Sequence, residues 1–176
     1  MKKILYLIRY ILYIKFNTKI QSTGFVLLQK NARVIVEKKG KVIFGKNIVI
    51  KESTIVYAKE NSKIIFGNNT STGHHTEISA NNSIEIGNDV IMGAYTYITD
   101  SNHSYENENL PIRKQPMNIG KVKIKNNIWI GRNVMLLKDC EIGSNSIVGA
   151  GSIVSEKFDD NLVIGGNPAS IIKVKE

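Results

Sequence analysis

The chain has 176 residues, 42% of them hydrophobic and 22% charged, which suits one domain with its own core and requires no second. A single cysteine, Cys140, excludes an intrachain disulfide framework and suits core packing better than nucleophilic chemistry. The formal charge of +9 is uneven, because residues 1–46 carry 11 Lys or Arg against one acid, Glu37, and the rest carry 13 bases and 14 acids. An acidic partner such as an anionic lipid surface therefore suits the N-terminal region alone, and with no recognised binding motif present no nucleic-acid partner is expected.

Residues 1–22 are predicted as a basic, apolar helical segment. Within it residues 4–14 are almost wholly apolar, broken by Arg9 and flanked by Lys2, Lys3 and Lys15. Eleven residues cannot span a bilayer as a helix. The basic start resembles a signal peptide, but no small-residue cleavage site follows, so the segment is expected to be retained. It has two fates: an interfacial helix making peripheral contact with a membrane, or a cap over an exposed end of the domain or against a neighbouring subunit. Exposed sheet edges need covering, which favours the cap.

Residues 23–158 read as a left-handed parallel β-helix, an all-β fold. Ile124, Ile130, Leu136, Ile142, Val148 and Val154 are aliphatic at an unbroken spacing of six. At this composition six such hits in one chosen phase arise by chance about 0.5% of the time. Gly131, Gly143 and Gly149 follow at +1, and Val134, Cys140, Ser146 and Ser152 at +4. Hexapeptide repeats of this kind form three short flat strands per triangular coil, with the aliphatic residue inside and small residues easing the corners. The phase recurs upstream at Phe44, Ile50 and Val56, at Phe66, Thr72 and Ile78, and at Ile86, Met92 and Ile98. Offsets of ten and eight between these runs imply small corner insertions, and the offset of 26 after Ile98 implies an excursion over residues 99–120. A helical core with a 3.6 period is opposed by the density of Gly, Asn and Ser.

The excursion opens Thr99-Asp100-Ser101-Asn102-His103, which sets an imidazole directly after a regular strand at the foot of a mobile loop. Histidine is the side chain suited to proton transfer near neutral pH. Asp100 stands where it can orient that imidazole or cap the turn opening the loop. Trp129 offers an aromatic wall to a ligand or packs at the base of the excursion, and residues 159–176 form a C-terminal segment entered through the Gly165-Gly166-Asn167-Pro168 turn.

Taken together, the repeat, the His-bearing insertion, Asn127-Ile128-Trp129-Ile130-Gly131, Val148-Gly149-Ala150-Gly151-Ser152 and Gly165-Gly166-Asn167-Pro168-Ala169 resemble the hexapeptide-repeat acyltransferases over about residues 44–175. The branch they resemble is that of the sugar O-acetyltransferases. The resemblance implies an acetyl-CoA-dependent O-acetyltransferase acting on a sugar or surface-polysaccharide precursor. It implies His103 as general base with Asp100 beside it, direct transfer in a ternary complex and no metal. It also implies acceptor contacts at His75, Asn102 and Trp129, although the family carries an asparagine near the position of His75. Acetyl-CoA, as co-substrate, is expected along Gly131, Arg132, Ala150 and Gly151, closed by Asn167 and Pro168. Glu156 stands where the family commonly has a basic residue for the CoA phosphates, which leaves Lys157 and Lys173 as replacements. Loop charges Arg113 and Lys114 are read as solvated.

The implied assembly is a homotrimer with active sites between subunits, and the implied location is cytoplasmic, at the inner face of the membrane if the N-terminal segment binds lipid. Three rivals stand beside this reading. An N-acyltransferase acting on an amino sugar or xenobiotic would use the same groove and histidine. A hexapeptide-repeat carbonic anhydrase would need three converging histidines, and adjacent His74 and His75 diverge on a strand. A non-catalytic trimeric scaffold is permitted by the fold alone.

Overall fold

The computed structural model describes residues 2–175, with side chains from residue 4 onward. Alternating inward and outward residues build three flat faces of short parallel strands. The first face runs Ile20–Ser22, Lys41–Phe44, Lys63–Phe66, Ser83–Ile86, Lys121–Ile124, Glu141–Ile142 and Lys157–Phe158. The second runs Val26–Leu28, Ile48–Ile50, Val90–Met92, Ile128–Ile130, Ile147–Val148 and Leu162–Gly166, with Ser71 bridging Val49 to Ile91. The third runs Arg33–Val36, Ile55–Ala58, Glu77–Ala80, Tyr97–Thr99, Met135–Leu136 and Ile153–Val154.

The registers superpose the predicted phase. Phe44, Phe66, Ile86, Ile124, Ile142 and Phe158 form one inward column on the first face. Val56, Ile78, Ile98, Leu136 and Val154 form another on the third, and every member of both columns is buried except Phe158, which is half-buried in the last coil. The offset of ten between Val56 and Phe66 has a different origin from the expected corner insertion. Strands Ile55–Ala58 and Lys63–Phe66 are each longer by one inward position, so Val56 and Ala58 precede the corner while Ile64 and Phe66 follow it. Alternation carries on for two more residues on each side, and the first coils enclose a wider core, which includes the Phe44–Phe66 ring pair at 5.0 Å. The last coils have two-residue strands and a narrower core.

Both predicted boundaries shift. The helix spans Lys2–Tyr10 and continues as a wider turn over Ile11–Lys15, but Ile20–Ser22 already pairs with Val42–Phe44 because Ile20 falls in the inward column. The β-helix also continues past 158. Phe158 follows Val154 by four residues, and Ile164 follows Phe158 by six; Phe158 pairs with Ile142, and Leu162–Gly166 pairs with Ile147–Val148. Ala169–Val174 then folds back antiparallel along Leu162–Gly166 through a turn with a cis Asn167–Pro168 bond, covering that strand's free edge.

The N-terminal helix lies across the opposite end. Ile14 is buried in the core, the Tyr10 ring packs tilted against Phe25 at 4.9 Å between centroids, and Arg9 donates from Nε and Nη2 to the carbonyls of Leu28 and Ala32, both at 3.0 Å. With no earlier coil to bind those carbonyls, the guanidinium satisfies them.

Coil-to-coil contact is tightest at the glycines. A Cβ on Gly73 would fall on the backbone carbonyl of Gly93 in the next coil, and neither backbone can retreat without breaking ladder bonds. Gly73→Ala is expected to destabilise the fold by about 2–3 kcal/mol in urea denaturation; an unchanged midpoint would show that the coils are not held at this spacing.

Candidate active site

The excursion leaves the solenoid as a two-stranded arm. Ser101–His103 pairs antiparallel with Met117–Ile119, so His103 faces Met117 in register. Gln115 is buried and ties the tip together: its Oε1 accepts the Asn107 N–H at 3.1 Å, and its Nε2 donates to the carbonyls of Asn107 and Leu110, both at 2.9 Å. Pro111 precedes the short 3-10 turn Ile112–Lys114, where Arg113 and Lys114 are exposed.

Asp100 anchors the arm's root and does not orient the imidazole. Its fully buried carboxylate accepts the backbone N–H groups of Asn81 at 2.7 Å and of Asn82 and Ser83 at 2.8 Å. Those amides form the sharp corner of the preceding coil and have no ladder partner there, so the carboxylate replaces the bonds that the corner loses. The turn-capping alternative raised from the sequence is thus the nearer one, although the turn capped belongs to the coil below.

His103 is exposed, and among the described residues its imidazole has no hydrogen-bond partner in the protomer. It stands with Asn102 at one wall of a groove of about 360 Å³ on the third face, whose floor and far wall include Lys59, Ser79, Tyr97 and Leu137. Such a groove admits a small polar molecule alongside a free base.

The other predicted residues lie elsewhere on the protomer. His75 occupies the edge between the second and third faces, in the left-handed conformation at φ 54°. Its ring stacks on Tyr95 at 5.0 Å and 5°, and the Arg132 guanidinium covers the other part of the stack, 4.8 Å from the Tyr95 ring. His103, at the edge between the third and first faces, is not joined to His75 in one protomer. Gly131 is buried where a Cβ would meet the Ala150 backbone amide at 2.6 Å, so its smallness serves coil stacking and gives a ligand no access. Gly151 differs: at φ 74° it is exposed with open space around its Cβ position, and Ala150 beside it is exposed.

Trp129 sits outward on the second face between Ile91 and Ile147, away from the base of the excursion. Lys157 pairs with Glu141 on the first face, in a second groove that also holds Lys121, Lys123 and Asp139. Asn167 and Pro168 form the exposed turn of the C-terminal hairpin, and Lys173 faces Val163 within it. Burial pushes the Cys140 thiol up to about 12, which removes it as a nucleophile at neutral pH. Among the described residues no three His, Cys, Asp or Glu side chains converge within the protomer.

Sequence reasoning missed Lys59, Tyr97 and Tyr95. Tyr95 carried a signal, since it stands three residues after Met92, as His75 does after Thr72 and Asn133 after Ile130, all at left-handed corners.

Residues 121–156 match the family model described as bacterial transferase hexapeptide (six repeats). An Escherichia coli K12 protein named as a lipopolysaccharide-biosynthesis O-acetyl transferase, WbbJ, is 30% identical over 156 residues, covering 82% of this chain and 80% of its own length. The galactoside O-acetyltransferase of the same organism is 31% identical over 119 residues, 67% of this chain; that match spans 57% of the relative's length. Among solved structures, the Bacillus cereus N-acyltransferase AntD (D94A), in complex with dTDP and coenzyme A, superposes with a TM-score of 0.77 at 22% identity, over 92% of this chain and 87% of AntD.

The three amide bonds to Asp100 make it the clamp of the arm. Asp100→Asn turns one acceptor oxygen into a donor facing a donor, and it is expected to cost about 2–4 kcal/mol in urea denaturation. An equally stable variant would show that the arm is held by other contacts.

Proposed function

Because this chain belongs to the hexapeptide-repeat acetyltransferases, we propose that it transfers an acetyl group from acetyl-CoA to a hydroxyl of a sugar or surface-polysaccharide precursor, with His103 as the general base. The observation that carries this reading is the free imidazole of His103 on a clamped arm, at the wall of a groove able to take a sugar. As the acceptor oxygen bonds to the thioester carbonyl carbon, its proton passes to the imidazole. Collapse of the tetrahedral adduct breaks the C–S bond, and the imidazolium returns the proton to the departing CoA thiolate. Transfer is direct in a ternary complex, and holding both reactants supplies much of the rate gain.

Open space at Gly151, beside exposed Ala150, suits the approach of a pantetheine arm to the backbone. His75, Arg132, Gly151 and Asn167 follow one another along the edge between the second and third faces, whereas His103 stands at the edge between the third and first; this separation within one protomer supports an assembly in which a neighbouring subunit completes the site, and the family's typical homotrimer supplies such neighbours. Dependence on acyl-CoA favours a cytoplasmic setting. The O-acetyltransferase names of WbbJ and the galactoside enzyme support a sugar hydroxyl, and AntD's N-acyltransferase name makes an amino sugar the second acceptor class to assay.

His103→Ala is expected to lower turnover by about 10²- to 10⁴-fold while leaving acetyl-CoA affinity by calorimetry nearly unchanged. Thioester release against paired hydroxyl and amino sugars distinguishes the two acceptor classes. Undiminished turnover in the variant would remove His103 from the chemistry, and absence of acetyl-CoA binding by the folded protein would favour a scaffold.

A further inference from the structure

The N-terminal helix is amphipathic in the unexpected sense. A helix that only caps a domain turns its apolar stripe toward the protein. Here the side turned to the prism carries Arg9, Tyr10 and Ile14, and its polar groups are used: Arg9 binds two carbonyls and the Tyr10 hydroxyl lies 3.3 Å from Ser22 Oγ. Ile4, Ile8 and Leu12, at the i, i+4 spacing of one stripe, point outward with Leu5 and Phe16 beside them. Exposure of 65% at Ile4, 64% at Leu12 and 73% at Phe16 means that this aliphatic face is uncovered by its own chain.

We propose that this outer face docks the protein on an anionic lipid bilayer, lying in the interface with its aliphatic side chains among the acyl chains. Charge selects this occupant. Exposed Lys15 and Lys19 follow the helix, and exposed Lys30, Arg33, Lys38 and Lys39 lie along the first coil beneath it. Glu37, the one acid among residues 1–46, is turned to the second coil, where it accepts the Tyr57 hydroxyl and the Glu60 N–H. A second copy meeting the same face would bring two such basic ends together, whereas an anionic bilayer satisfies the apolar stripe and the surrounding charge at once. Among the described residues no helix is long and apolar enough to cross a membrane, so the contact is with one leaflet. The surface is independent of the acetyl-transfer chemistry.

The test is co-sedimentation of the full chain with phosphatidylcholine vesicles, with and without phosphatidylglycerol, at about 0.1 M and about 0.5 M salt. Ile8→Glu and Leu12→Glu change outward side chains, and thermal melting verifies that each variant folds. Wild type is expected to partition at least about tenfold more to the anionic vesicles, less so at high salt, and each variant to lose about tenfold or more of that binding. Wild type that ignores anionic vesicles, or folded variants that bind as well as wild type, would overturn the proposal. A fall in assembly mass in sedimentation velocity for the variants would overturn it too, assigning the face to a second copy.

Discussion

Everything in this molecule depends on turning the chain sharply every six to eight residues without losing the backbone ladder. The device is a residue in the left-handed region three positions after an inward side chain. At the edge between the first and second faces this residue is Asn47, Asn69, Asp89, Asn127, Asn145 or Asn161, each at φ of 56–63°. Asn and Asp tolerate that conformation better than other side-chain-bearing residues, and stacked copies bond to one another: Asn47 Nδ2 to Asn69 Oδ1 at 2.9 Å, Asn69 Nδ2 to Asp89 Oδ1 at 3.0 Å. A second row of side chains beside it caps the corner amides, with Asn88 Oδ1 accepting the Asn68 N–H and Asn126 Oδ1 the Asn88 N–H. Polar residues at the edges and aliphatics inside are two sides of one constraint.

That constraint explains what the sequence made legible. The inward columns were readable because a period of six survives wherever strands keep their length; Phe158, only four residues after Val154, rejoins the column of the first face by register and lies outside that period. The widening of the early coils was not, because an additional inward residue such as Ala58 or Ile64 changes the count between Val56 and Phe66 just as a corner insertion would. Periodicity cannot separate a longer strand from a longer turn.

At the candidate site, the long offset from Ile98 to Ile124 announced the excursion that carries His103 but said nothing of what holds it. The clamp is made by Asp100 with backbone amides of a coil 17 to 19 residues earlier, a pairing set by stacking and invisible to local reading. Gly131 and Gly151 look alike as small corner residues, yet one is pressed against a following coil and the other lies open near the end of the solenoid. Small residues in a repeat serve packing wherever another coil lies above them; access begins where the stack runs out.

The tapering cross-section gives the solenoid a polarity. Stability in such a stack is a sum of nearest-neighbour interfaces. The wide coils carry the Phe44–Phe66 pair and the Arg9 cap, whereas the narrow coils carry Val148 and Val154 and end on one folded-back strand. Unravelling therefore starts from the C-terminal coils and proceeds toward the broad end, so amide hydrogens exchange in a gradient along the axis. The open corner at Gly151 belongs to the part that fluctuates first, and a ligand bound there would quiet the least stable coils of the molecule.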